Sequence, residues 1–292
     1  MSYEIIGNVT GFLNRFCQYI KNRVWCGMKI AVAGKGGSGK TLLAGSLAFL
    51  FARAGHTTLA LDADSAPNLA FLLGLSPREA DAIIPVSKNA DLIAAKTGTS
   101  YPGVYALNFS VNDIVTKYAV PTPAGPHLLV MGTVTSMGAG CTCPANSVVR
   151  ALLRHLLVEH REVVILDMEA GVEHIGRGTA ENVDVMLVVS DAHRQSLAIA
   201  GKIAQMARDA GIPRVELVGN RIQDPAQDRV IRDFARSRNL PVPGMIPFDP
   251  TVTRAGVAGE AVAALKGSAA LDAIAGILSE TSREMADQEE HP

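Results

Sequence analysis

Apolar residues gather along this chain in short runs at 30–33, 57–61, 128–131, 163–166, 185–189 and 215–218, broken only by Thr57, Thr58 and Glu216. Little polar alternation interrupts them, so each predicts a strand covered on both faces, as in a parallel sheet. Longer stretches at 42–54, 147–160, 196–210 and 269–283 carry small and apolar residues at helical spacing. Ala54-Gly55-His56 is a helix stop before the second strand. Strands alternating with helices predict the α/β class: three layers, with a mostly parallel central sheet of about seven or eight strands flanked by helices. Residues 70–126 mix Pro, Gly and short helical patterns, including 90–96, and read as an elaboration over the sheet. There is no repeat and no second core, so 28–283 is predicted to be one domain.

Two segments fall outside that domain. In 1–27, Ile5, Ile6, Val9, Phe12, Leu13, Phe16, Tyr19, Ile20 and Val24 recur at helical spacing among basic and polar residues. This fits an amphipathic helix at a membrane surface, a helix docked on the domain, or sequence upstream of the true start. The membrane role is the disfavoured reading. The segment also lacks the apolar core and cleavage site of a signal peptide. Residues 284–292 are acidic and polar, and predict a disordered tail.

Composition narrows the classes. The formal charge of −1 gives no polyanion-binding surface, so no nucleic-acid partner is expected. No apolar run is long enough to span a bilayer. Cysteines at 17, 26, 141 and 143 are too few and too uneven for a disulfide framework, which favours a reducing, cytoplasmic setting.

Chemistry enters at Gly34-Lys35-Gly36-Gly37-Ser38-Gly39-Lys40-Thr41, a complete G-x-x-x-x-G-K-[ST] between a strand and a helix. Glycines let the loop wrap a phosphate with backbone N–H groups, and the helix N-terminus adds the positive end of its dipole. Lys40 is placed to reach the outer phosphates and Thr41 to hold Mg²⁺, with Leu42 closing the loop onto the helix. The fold is therefore predicted to be a P-loop NTPase binding ATP or ADP with Mg²⁺. The second strand delivers Asp62 and Asp64 to the ligand edge, where paired carboxylates suit water positioning, or Asp64 or Ser65 caps the next helix. The run at 163–166 ends at Asp167, the Walker B form, suited to the Mg²⁺ hydration shell. Gly171 follows where a phosphate-sensing switch needs a flexible backbone, and His174 reads as structural. Asn220 and Arg221 end another strand, and Asn can read an adenine edge. Met245-Ile246-Pro247-Phe248-Asp249 reads as a short apolar turn able to flank the base.

Cys141 and Cys143, in a glycine-rich loop, could share one metal ion, yet two thiolates do not complete a four-ligand site. His155 and His160 lie too far down the following helix, and Met137 reads as packing. A symmetric dimer would supply four sulfurs on its axis, suited to Zn²⁺, Ni²⁺ or a small Fe–S cluster. The alternative is a pair of small buried apolar residues.

The string GKGGSGKT, with its early Lys35, resembles the deviant Walker A of the MinD/ParA/nitrogenase-iron-protein superfamily of dimerising ATPases. With DADSAPNL, GCTCPAN and DMEAGVEHIGRGT in order, residues 28–280 resemble the CooC family of nickel-insertion ATPases that mature carbon monoxide dehydrogenase. The resemblance implies a nucleotide-dependent homodimer in which Lys35 reaches the partner's phosphates, joining Lys40 and Asp64 as catalytic residues. It implies that Asp64 positions the attacking water and that Asn220 and Pro247 form the adenine pocket. It further implies that Cys141 and Cys143 of both subunits hold Ni²⁺, or Zn²⁺ in the same site, for a carbon monoxide dehydrogenase client. An Fe–S scaffold ATPase, and a MinD-like positioning switch without metal, are the rival expectations.

Overall fold

The computed structural model describes residues 27–64, 68–97, 112–132, 162–168, 183–265 and 267–290. The predicted helix at 147–160, Cys141, Cys143, Met137, Gly171 and His174, and residues 1–26, lie outside the described residues.

The strands are β1 (Met28–Gly34), β2 (Thr57–Ala63), β3 (Val120–Pro121), β4 (His127–Val130), β5 (Glu162–Met168), β6 (Val185–Ser190), β7 (Val215–Ile222) and β8 (Gly244–Pro247). They form one sheet in the order β3-β4-β2-β5-β1-β6-β7-β8. Every neighbouring pair is parallel except β3 and β4 at one edge. The described helices are α1 (Lys40–Arg53), α2 (Leu69–Leu72), α3 (Pro77–Asp81), α4 (Ala90–Thr97), α5 (Asn112–Tyr118), α6 (Arg194–Asp209), α7 (Pro225–Ser237), α8 (Pro250–Ala258) and α9 (Ala269–Glu290). The expected mostly parallel three-layer α/β architecture is what forms.

The continuous apolar runs divide residue by residue between two cores, because successive strand side chains point to opposite faces. Ile30, Val32, Val163, Ile165, Leu187 and Val189 pack with α1, α8 and α9 on one side. Ala31, Ala33, Val164, Leu166, Met186 and Val188 pack with α6 and α7 on the other. α1 is buried along its length from Leu43 to Phe51. Its small residues permit this: a Cβ at Gly45 would run into Leu72 of α2.

Three elements differ from expectation. The turn at 245–249 begins as β8, a strand added beside β7. α7 was not anticipated, although its start is signalled in sequence: Asp224 caps Ala226 and Gln227 N–H groups, and Pro225 opens the helix. The expected disordered tail is helical through Glu290, consistent with the good helix formers Met285, Ala286, Gln288, Glu289 and Glu290.

Two polar clasps fix α9 and α8. Glu216, fully buried on β7, pairs with Arg214 and accepts a hydrogen bond from Thr281 Oγ1 of α9 at 2.7 Å. Asp249 caps α8 by accepting from Thr251 N–H at 2.8 Å. Its second oxygen accepts from Ser268 Oγ at 2.6 Å and Ala270 N–H at 3.2 Å, at the start of α9. Partial burial pushes the Asp249 carboxyl up, but these bonds outweigh it and hold the group below 3.8. A depressed carboxyl contributes its stability above the unfolded value and loses it as pH falls through the folded one. Asp249→Ala is therefore expected to cost about 1–2 kcal/mol at pH 7. In urea melts the difference from the parent should narrow as pH falls below about 4.

Candidate nucleotide and magnesium site

β1 lies between β5 and β6 at the centre of the sheet, so its carboxyl end is the middle of the ligand edge. The chain leaves it through the loop at 34–41 and enters α1. Gly34 touches the neighbouring strand so closely that a Cβ there would strike the Val189 carbonyl. Gly37 and Gly39 have φ of 77° and 100°, and Ser38 N–H donates to Lys35 carbonyl at 3.0 Å. These bonds curl the loop above the first turn of α1. The Ser38 hydroxyl is buried with no hydrogen-bond partner among the described residues, a donor fit for a phosphate oxygen. Lys40 is buried, while Lys35 is only partly so. Among the described residues Lys35 makes no ion pair.

The two carboxylates of β2 have separate jobs. Asp62 is fully buried and accepts from Asp64 N–H and Leu69 N–H, each at 3.1 Å. It thereby clasps both ends of the segment between β2 and α2. Asp64 stands further out, with Oδ2 3.8 Å from Lys40 Nζ. Asp62 is thus the structural member of the pair, and Asp64 is the one that faces Lys40.

Asp167 is the register partner of both Asp62 on β2 and Val32 on β1. It is 1% exposed, and neither carboxylate oxygen accepts a hydrogen bond among the described residues. Burial pushes its carboxyl up to about 7, and the charges of Asp62 and Asp64 add to that. The Thr41 hydroxyl and Lys40 ammonium oppose them. Thr41 eases the charge by proximity, outside good hydrogen-bond geometry. Burial likewise pushes Asp62 up to about 6, against its backbone bonds. Two unpartnered buried oxygens beside a threonine hydroxyl fit Mg²⁺, which takes few protein ligands and completes its shell with water and phosphate.

On the other side of the loop, Asn220 of β7 is buried, with Nδ2 donating to Ser38 carbonyl at 2.6 Å. Arg221 is exposed with φ of 59°. Pro247 ends β8, and Phe248 N–H donates to Ile222 carbonyl at 2.9 Å, so the expected base-flanking residues lie together. A cavity of about 590 Å³ opens beside the loop, lined in part by Thr41, Leu42, Asn68, Phe71, Val252 and Ala255. The last three were not anticipated; α2 and α8 reach the loop only through the fold, although α8 carries a legible Asp249-Pro250 start signal. Cys141 and Cys143 lie outside the described residues. No helix among the described residues is long and apolar enough to cross a membrane.

Residues 29–262 match the CobQ/CobB/MinD/ParA nucleotide binding domain. The chain is 42% identical over 234 residues to the carbon monoxide dehydrogenase accessory protein CooC of Rhodospirillum rubrum, covering 80% of this chain and 88% of that one. It is 37% identical to an uncharacterized ATP-binding protein of Methanocaldococcus jannaschii, covering 80% and 91%. Among solved structures, MinD of Pyrococcus furiosus superposes with a TM-score of 0.61 at 19% identity, covering 88% and 99%, a likeness of fold.

The charge on Asp167 yields a prediction for the nucleotide-free protein. A carboxyl raised in the folded state penalises folding increasingly from about pH 4 to about pH 7, and fully above that. Asp167→Asn removes the penalty along with the carboxylate suited to Mg²⁺. In EDTA at pH 8 its melting temperature should exceed the parent's by roughly 3 °C or more, with the gain shrinking toward pH 4. Its Mg²⁺-dependent ATP hydrolysis should be lost.

Proposed function

Because the chain belongs to the CobQ/CobB/MinD/ParA nucleotide-binding family, as a CooC-type ATPase, we propose that it is a nickel metallochaperone for carbon monoxide dehydrogenase. The observation that carries this reading is the 42% identity to a carbon monoxide dehydrogenase accessory protein, joined to the Cys141-Thr142-Cys143 sequence. The chain dimerises on nucleotide binding. Ni²⁺ is its cargo, held by Cys141 and Cys143 of both subunits, and Zn²⁺ competes for the same sulfurs. Hydrolysis releases the ion into the Ni–Fe–S cluster of the client, and the work is cytoplasmic.

The residues divide the labour as follows. Loop residues 34–42 hold the phosphates, and Asn220, Arg221 and Pro247 surround the base. Thr41 and Asp167 hold Mg²⁺, which when bound neutralises charge on the outer phosphates. Lys40 binds those phosphates from its own subunit, and Lys35 reaches the partner's nucleotide; its partial exposure and lack of an ion pair among the described residues support that role. Asp64 orients the attacking water. A metal site on the dimer axis senses subunit closure directly, which couples nucleotide state to metal affinity.

Anaerobic equilibrium dialysis against Ni²⁺, with and without ATP, tests the reading. One ion per dimer is expected for the parent, and a loss of at least 100-fold in affinity for Cys141→Ala/Cys143→Ala. Light scattering should find Lys35→Ala monomeric in ATP. Unchanged nickel binding in the double variant would sink the proposed site. A brown, sulfide-containing protein would transfer the function to Fe–S carriage. ATP-dependent membrane recruitment that survives the double variant would transfer it to a positioning switch.

A further inference from the structure

Asn220 joins two parts of the site that lie 182 positions apart in sequence. Its Nδ2 donates to the Ser38 carbonyl at 2.6 Å, and its Oδ1 accepts the Arg221 N–H at 2.8 Å. The second bond accompanies a break in β7. The register against β8 shifts between Gly219 and Ile222, and Arg221 takes a left-handed φ of 59°, which a long side chain rarely adopts. Such backbone strain persists only where the surroundings impose it. Here the bulge turns the carboxamide onto the phosphate loop. The loop is shaped to receive it: Gly39 has φ of 100°, and a Cβ there would collide with Asn220 Nδ2.

A trans peptide directs its carbonyl and its N–H in opposite directions. Fixing the Ser38 oxygen against β7 therefore turns the N–H of Gly39 away from β7, toward the inside of the loop. If the bond is lost, the peptide plane can rotate and present a carbonyl oxygen, a negative dipole, to an incoming anion. Burial strengthens the restraint, since little water competes for the carbonyl.

We propose that Asn220 is a positioning residue for the triphosphate, acting through the Ser38–Gly39 peptide, whatever contact it also makes with the base. With one amide hydrogen on Ser38 and one lone pair on Arg221, a single N–H and a single lone pair remain for an adenine edge. Base occupancy and phosphate-loop geometry are thus read by one side chain. The inference rests on triphosphate binding alone and not on nickel delivery, so the two fail independently.

The test separates phosphate from base. Calorimetric titration of the full chain with Mg²⁺-tripolyphosphate, which has no base, is compared with titration by Mg²⁺-ATP. Asn220→Ala should weaken both, tripolyphosphate roughly 10- to 100-fold and ATP by at least as much. Tripolyphosphate affinity left at the parent's value, with ATP affinity reduced, would restrict Asn220 to reading the base and overturn the proposal. Unchanged affinity for both ligands would overturn it as well. Circular dichroism reports the folded fraction. Should Asn220→Ala not fold, Asn220→Asp keeps the shape and the bond from Arg221 N–H while setting an oxygen against the Ser38 carbonyl. The same parallel loss is expected of it, and parent-like tripolyphosphate binding by that variant counts equally against the role.

Discussion

Two carboxylates, Asp62 and Asp167, end neighbouring parallel strands in register, both inside an apolar sheet. Adjacent strands stand about 4.8 Å apart, so neither charge can be taken out of water without raising the cost of the other. The protein resolves half of the problem internally. Asp62 takes two backbone N–H groups and becomes the clasp of the segment leading to α2. Asp167 is left without a donor among the described residues, and its carboxyl rises to about 7. A cation beside it would answer that charge.

Holding that charge in place requires a rigid edge, and the fold supplies it by burying the central strands twice. Side chains of β1, β5 and β6 alternate between two cores, leaving no face free to relax toward water. The phosphate loop is then held from several directions: by β1 behind it, by the buried α1 beyond it, and by Asn220 from β7. Asp249 extends the same framework to the base side by capping α8 and α9 with one carboxylate. The residues of the candidate site therefore come from separate segments that are tied to one another.

Most of this was legible from local pattern. Continuous apolar runs identify β1, β2, β5, β6 and β7 because double-sided burial leaves no polar alternation, and the glycine-rich loop with its following helix identifies the phosphate site. The division between Asp62 and Asp64 was not legible, since both sit at one strand end and only the fold shows which turns inward. The Asn220–Ser38 bond was hidden by its sequence separation. It depends on a bulge and a left-handed Arg221 that no local pattern signals. Val252 and Ala255 reach the cavity only because α8 packs across from α1. α7, by contrast, carried a readable Asp224-Pro225 signal.

The contact between Lys40 and Asp64 carries the last step. At 3.8 Å, with Asp64 partly exposed, it is a loose ion pair, worth little when water can screen it. A triphosphate seated in the loop offers Lys40 several anionic oxygens at closer range, with the dipole of α1 behind them. Such a ligand is therefore a stronger partner for Lys40 than Asp64 is. The Asp64 backbone N–H is tied to Asp62, whatever its side chain meets. The buried lysine of the loop and the outer carboxylate of β2 thus face each other at the ligand edge. Asp62, buried behind that carboxylate, fixes its backbone.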